Sequence, residues 1–435
     1  MTQSSRHTPC AVPLSHGKNG TRSVPTTSNL ANFLRAGHWP TLLCAFLYFD
    51  VSFMVWVLLG ALANSIAPEF GLTSSERGFL VAVPILGGAL LRPVLGLLTD
   101  RIGARRTALS GLVLTVVPLA LGFFWANTFS TMLVVGLLLG IAGASFAAAL
   151  PLASLWYPAE YQGLVMGIAG AGNSGTVLAA FFAPRLAESL GWHAVFGLAL
   201  IPVLLTLLVF VCVAKESPNR PPAKRWLDYA LVLRQPDTWW FCLFYSVTFG
   251  GFVGLASFLN LFFHDQYGLS GVQAGNFAAI CLLAGSFLRP VGGYLADRFS
   301  GSRILTVLYL ALGVLMASLF LLPSMAVGTS LLFLSMALLG LGNGAVFQLV
   351  PERFPEDIGV VSGIVGAAGG LGGFFLPVVL GAVQQLTGSF SAGFLLFAFV
   401  GLGCAAGVRY VSSLWERAPM SEGDPQLAMA TAEIA

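Results

Sequence analysis

The sequence predicts an all-α membrane protein: twelve transmembrane helices arranged as two pseudo-symmetric six-helix bundles. Three observations lead there. Of 435 residues, 57% are hydrophobic and only 9% are charged, with a mean hydropathy of +0.85, whereas a soluble domain carries about 25% charged residues. The apolar residues fall into long runs, and a run of about 20 crosses the hydrocarbon core of a bilayer. Finally, short segments of the first half recur in the second.

The runs, in order, are 40–63, 79–99, 107–125, 131–153, 162–184 and 192–214, then 238–262, 273–296, 303–323, 329–350, 359–383 and 390–413. Between the two sets lies a polar, basic, proline-rich stretch, KESPNRPPAKRWLDYALVLRQPD. The predicted organisation is a disordered cytoplasmic tail over 1–37, a bundle over 38–214, a cytoplasmic linker over 215–237, a bundle over 238–413 and a cytoplasmic tail over 414–435. The start of the chain is rich in Ser, Thr and Pro and has no apolar core, so it does not read as a cleavable signal peptide. Loop charge sets the orientation. Of the 21 Lys and Arg residues, only Arg77 and Arg185 fall in loops on the outer side when both termini are cytoplasmic.

The halves repeat at a distance of roughly 200 residues, which implies two bundles related by a pseudo-twofold axis. RPVLGLLTDR at 92–101 matches RPVGGYLADR at 289–298, and GLVMGIAGA at 163–171 matches GVVSGIVGA at 359–367. LLG at 138–140 recurs at 338–340, Pro151 recurs as Pro351, and FDVSF at 49–53 lines up with YSVTF at 245–249. The DRIGARR segment after span 2, with its DRFSGSR counterpart after span 8, resembles the major facilitator superfamily. That resemblance implies its fold, and Asp100, Arg101, Asp297 and Arg298 are read as gating-loop residues.

Arg92 and Arg289 are cations inside spans 2 and 8. Asp100 and Asp297 mark the ends of those spans, and each arginine lies eight residues earlier, about 12 Å deeper at the helical rise. Half the apolar core is about 15 Å, so both sit near the midplane. A lipid-facing arginine there costs about 3 to more than 10 kcal/mol, so both should face an interior cavity. One account pairs them permanently with protein carboxylates. Yet Asp50 is the sole acid embedded in the spans, and one acid cannot answer two symmetric arginines. The other account lets the counter-charge arrive as substrate. The planar guanidinium fork suits a planar oxyanion.

Symmetric aromatics flank the arginines. Phe49 and Phe53 lie one turn apart on span 1, Tyr245 and Phe249 repeat them on span 7, and Phe146 adds a ring on span 4. Rings of this kind usually only pack, but stacked about an anion they would exclude water and favour a small, flat monoanion. Glycines at three- and four-residue spacing on spans 5 and 11 permit close helix approach, either as simple packing or as a sliding surface. Asn173 is a polar amide among them.

These segments carry a closer resemblance. GIAGAGNSG (167–175) and GAAGGLGGFFLP (366–377) resemble the paired signature helices of the nitrate/nitrite porter family. FMVWVLLG (53–60), ALLRPV (89–94), GASFAA (143–148), FYSVTFGGFVG (244–254) and LGLGNGAVFQ (339–348) add to the likeness, which spans about 40–413. It implies a clamp on nitrate or nitrite by Arg92 and Arg289, with Phe53, Phe146, Tyr245 and Phe249 lining the site; Phe49 joins the expected site by its place in the repeat, and Asn173 as an amide able to bond the anion or a facing backbone. Gly170, Gly172, Gly366 and Gly369 would let the signature helices slide between states. It also implies a bacterial inner membrane, since the long central loop of plant and fungal relatives is missing.

Asp50 separates mechanisms. It lies three residues from Phe53 on the same helical face, so it is expected to border the cavity. It is either permanently paired with an arginine or hydroxyl, or a proton carrier. The second favours nitrate/proton symport over nitrate/nitrite antiport. A facilitator for another small anion, such as a carboxylate, and a non-translocating receptor are the other readings. No triad, metal cluster or phosphate loop is visible, so an enzyme is not expected, nor are a cofactor, a metal or a nucleic-acid partner. The six cysteines are scattered without ligand spacing. The expected partners are a small planar anion, a proton and the lipid bilayer, and a monomer is expected.

Overall fold

The computed structural model describes residues 27–219, 226–354 and 358–417. Among them are 12 helices long and apolar enough to cross a membrane. They are α1 (Trp39–Phe70), α2 (Ser74–Ile102), α3 (Ala104–Phe124), α4 (Phe129–Ser154), α5 (Leu164–Leu190) and α6 (Trp192–Val213), then α7 (Pro236–Tyr267), α8 (Gly271–Phe299), α9 (Gly301–Leu319), α10 (Met325–Val350), α11 (Gly359–Thr387) and α12 (Ser391–Glu416). Each apolar run of the sequence became one of these helices.

Two expected loop segments are partly helical. Thr27–Ala36 forms a short helix within the predicted N-terminal tail, and its Phe33 stacks on Tyr157 with ring centroids 5.0 Å apart. Trp226–Val232 forms another within the linker. The last helix continues to Arg417. The expectations for 1–26, 220–225 and 418–435 lie outside the described residues.

The repeat extends into the turns. Gly71 and Gly268 take left-handed φ values of 62° and 65° and end α1 and α7, where a residue without Cβ is favoured. Thr73 then caps α2 with Glu76 at the third position, and Ser270 caps α8 with Gln273, each pair bonding reciprocally. One departure from symmetry matters: α2 runs unbroken past Pro93, whereas α8 is interrupted at Leu288. Pro290 occupies the first turn of the resumed helix, where its missing N–H leaves no bond unmade.

Glycine contacts explain the repeated LLG. A Cβ on Gly140 of α4 would collide with the backbone of Gly87 on α2, and one on Gly340 of α10 would collide with Gly285 on α8. Close approach of this kind replaces the hydrophobic drive that helices lack in lipid. Across the halves, α2 packs on α11 and α5 on α8. α1 and α7 are central, with 78% and 89% of their apolar windows buried, against 33% for α6 and 39% for α9. Phe124, Leu208, Val314 and Phe399 stand exposed on α3, α6, α9 and α12, an apolar perimeter that only a bilayer would cover.

The two ends of the seam differ. At the end away from the linker, Arg77 pairs with Asp265 at 2.9 Å. Asn64 donates to the carbonyl of Asn260 at 3.0 Å, the Ser75 N–H donates to Gln385 at 2.9 Å, and Arg185 donates to Asn276 at 2.5 Å. All four join one bundle to the other. The linker end has an open cavity instead.

Candidate functional site

Arg92 rises from α2 and Arg289 from the start of the resumed α8, and they are only 2% and 7% exposed. Both guanidinium carbons lie over one ring, Phe146 of α4, at 5.7 and 5.2 Å from its centroid. Arg92 also sits 4.5 Å from Phe249 and 5.3 Å from Trp56, and Arg289 sits 5.7 Å from Phe347. A ring face attracts a cation, more strongly where water is excluded.

Arg92 Nε donates to the Gly143 carbonyl at 3.3 Å, and Nη1 donates across the seam to the Gly366 carbonyl of α11. Its Nη2 and the Nη1 of Arg289 have no hydrogen-bond partner among the described residues. Neither arginine makes an ion pair among those residues. The signature glycines are arranged crosswise. Gly366 of the second half adjoins Arg92, and Gly170 of the first half adjoins Arg289, whose Nε is 3.5 Å from where a Cβ would stand. Gly172 makes room for Phe49 and Gly369 for Tyr245, where an added Cβ would lie 2.7 and 2.5 Å from those rings.

The predicted rings form one cluster. Phe49 and Phe53 lie 4.3 Å apart, Phe49 and Phe146 5.8 Å, and Tyr245 stacks on Phe249 at 5.0 Å. Phe53 reaches Phe249 across the seam at 6.3 Å. The Tyr245 hydroxyl points towards Arg289 without reaching hydrogen-bond geometry. Asn173 is fully buried in a 3-10 turn (Ala171–Ser174) that interrupts α5, with both side-chain amide atoms unpaired.

A cavity of about 300 Å³ runs from Arg92, Phe146 and Gly366 to Asp100, Glu216 and Tyr229 near the linker, and Arg289, expected to face it as well, lies behind Phe146 and Phe347 and is not part of its lining. Tyr229 comes from the linker helix. Burial, with the Asp100 carboxylate nearby, pushes its phenol up to about 12, so a neutral hydroxyl stands at the mouth. Of the predicted gating residues, Asp100 lines this mouth, whereas Arg101, Asp297 and Arg298 are exposed and do not approach the site.

Asp50 departs from expectation. It is 8% exposed but does not line the cavity. Its Oδ1 accepts from Ser174 Oγ at 2.6 Å, and the Gly175 N–H also donates to it, at the start of the second part of α5. Three residues put it on the same side of the helix as Phe53, but the remaining angle is enough to turn the carboxylate towards α5.

Sequence reasoning missed Trp56 and Phe347. Trp56 is fully buried, donates to the Pro84 carbonyl at 2.7 Å and stacks on Phe249 at 6.4 Å. Its position one turn beyond Phe53 was the available signal. Phe347 meets Tyr245 at 4.8 Å and Phe146 at 5.6 Å. It falls one place away from the repeat equivalent of Phe146, and that offset hid it.

Fold and site together define a multi-pass membrane protein built as two bundles around a shared, aromatic-walled pair of arginines. Comparison with known proteins agrees. The Major Facilitator Superfamily profile matches residues 44–377, and the chain belongs to that superfamily of transporters. It is 36% identical over 379 residues to the "Probable nitrate/nitrite transporter NarK2" of Mycobacterium tuberculosis, covering 86% of this chain and 95% of that one. It is 35% identical over 353 residues to the "Nitrite extrusion protein" of Bacillus subtilis, covering 80% and 88%. The "Probable nitrate/nitrite antiporter NarK1" of Thermus thermophilus is 34% identical over 374 residues, covering 79% and 84%. Among solved structures, a bacterial homolog of the human lysosomal transporter Spinster, inward-facing and occupied, superposes with a TM-score of 0.62 at 19% identity, covering 86% and 96%. That likeness concerns the fold alone.

Proposed function

We propose that this chain carries nitrate, nitrite or both across a bacterial inner membrane by alternating access, with both termini and the linker cytoplasmic. One observation carries the reading: two buried guanidiniums both lie over the Phe146 ring, each keeps an unpaired Nη, and neither is neutralised by a carboxylate among the described residues. A flat monoanion between the forks would supply that charge and use those donors. The names of the relatives support the same substrate.

Closing a dry site over two bare cations is unfavourable, because like charges repel strongly at low dielectric. One bound anion lowers that barrier, and the halves can then rock. With the linker cytoplasmic, the cavity is open inward and the Arg77–Asp265 end is shut.

Proton symport through Asp50 is the preferred coupling. The buried carboxylate has neutral partners, a hydroxyl and an amide, and no ion pair among the described residues. Exchange of nitrate for nitrite is the second reading, favoured because the Gly175 N–H gives Asp50 a capping role that needs no proton. Uptake of labelled nitrate into proteoliposomes decides between them. Symport predicts stimulation by an inward proton gradient with no internal anion. Uptake that ignores the gradient and needs internal nitrite establishes exchange, and no nitrate or nitrite flux under either condition rejects the substrate.

A further inference from the structure

α10 carries a second buried amide that the transport reading has not used. Asn343 is fully buried, and neither Oδ1 nor Nδ2 has a hydrogen-bond partner among the described residues. Its neighbours fix its direction. Gly342 packs on α7, where an added Cβ would lie 2.6 Å from Thr248. Gly344 packs on α8, where an added Cβ would collide with the Arg289 carbonyl and lie 2.6 Å from the Gly293 nitrogen. Successive helical residues turn by about 100°, so Asn343 lies on the face between those two contacts. One turn later on the same face, Phe347 meets the Tyr245 ring at 4.8 Å and lies 5.7 Å from the Arg289 guanidinium carbon.

The repeat bears on the same position independently. The LLG match aligns 143 with 343. In the first half, the Gly143 backbone carbonyl accepts from Arg92 Nε at 3.3 Å. In the second half the equivalent place holds a side-chain amide, on the helix whose next residue packs against Arg289. Arg289 has a spare Nη1 where Arg92 uses its own on Gly366. An amide buried with both atoms unpaired is costly, and a small apolar residue would avoid the cost.

Resting on the anion-transport reading, we infer that Asn343 belongs to the anion site: its unpaired Nδ2 gives the planar anion a hydrogen bond beside the two guanidinium forks. Being neutral, the amide adds direction without adding to the charge that resists closure. Asn173 offers the same chemistry from α5.

Calorimetric titration of sodium nitrate into the purified full-length chain tests this. Asn343→Leu is expected to weaken nitrate about tenfold, the loss of one hydrogen bond to a charged group. Asn343→Asp, which sets a carboxylate beside Arg289, is expected to abolish binding. The ligand-free thermal midpoint should stay near that of the parent in both, and if Asn343→Leu does not fold, Asn343→Ser is read in its place. Nitrate affinity within twofold of the parent in Asn343→Leu or Asn343→Ser overturns the inference and leaves the transport reading standing. A parent chain that binds neither nitrate nor nitrite overturns both.

Discussion

Arg77 of α2 and Asp265 of α7 form an ion pair at 2.9 Å that ties one bundle to the other, and Asn64 accepts a second bond from the same Arg77 nitrogen at 3.2 Å. The pair lies at the closed end of the seam and must part for that end to open. Asp265→Asn removes an interaction worth about 1 kcal/mol when half-buried, a shift of about fivefold towards the state open at that end. A cysteine at Ser257, which packs on Gly60 beneath the latch, reports the change in a chain otherwise freed of reactive cysteines. Its labelling from that side should rise about fivefold. Unchanged labelling would remove the pair from the gating account.

Asp50→Asn keeps an acceptor for Ser174 and deletes the charge and the exchangeable proton. Under symport, the variant should lose stimulation by a proton gradient while keeping nitrate counterflow. Retained gradient stimulation in the variant would place the proton elsewhere.

The signature glycines should not be equivalent. A Cβ at Gly369 would lie 2.5 Å from the Tyr245 ring, which is stacked on Phe249, whereas one at Gly366 would meet nothing nearer than Arg92 at 3.9 Å. Gly369→Ala should therefore lower nitrate uptake about tenfold by displacing the ring, and Gly366→Ala should leave it within about twofold. Equal losses in both would mean that helix sliding, rather than ring position, sets the requirement.

Gly140 meets the backbone of Gly87, with no flexible side chain to yield. Gly140→Ala should destabilise the first bundle by about 1–3 kcal/mol, the usual cost of overpacking, and Gly340→Ala should do the same in the second. Thermal unfolding of the purified chain reads both, and no change in midpoint would contradict the packing described.

Much of this architecture is written in the sequence at long range. Apolar runs of membrane length give the helices, and the doubled RPV, LLG and glycine segments give the two-bundle plan. Arg92 and Arg289 were legible because a cation in an apolar run has few explanations. What was not legible depends on rotation about a helix axis. Asp50 sits one turn from Phe53, yet its carboxylate faces Ser174 on α5. Trp56 and Phe347 carry ordinary residue types for their helices, and only the neighbours that each meets distinguish them from packing, whereas Asn343 was legible as an amide among glycines but has no amide opposite it in the first half. The helix at Thr27–Ala36 escaped notice because its apolar residues are few, and Phe33 gains its burial from Tyr157, far away in the chain.

The central claim is that two buried guanidiniums bind the transported anion by their forks. Titration of nitrate into the parent chain and into Arg92→Lys and Arg289→Lys tests it most directly, since lysine keeps the charge and loses the fork. The account predicts saturable binding by the parent and a loss of about tenfold to a hundredfold in each variant, the worth of one charge-assisted bond or more. Binding by both lysine variants within about threefold of the parent would contradict it, because charge alone would then suffice.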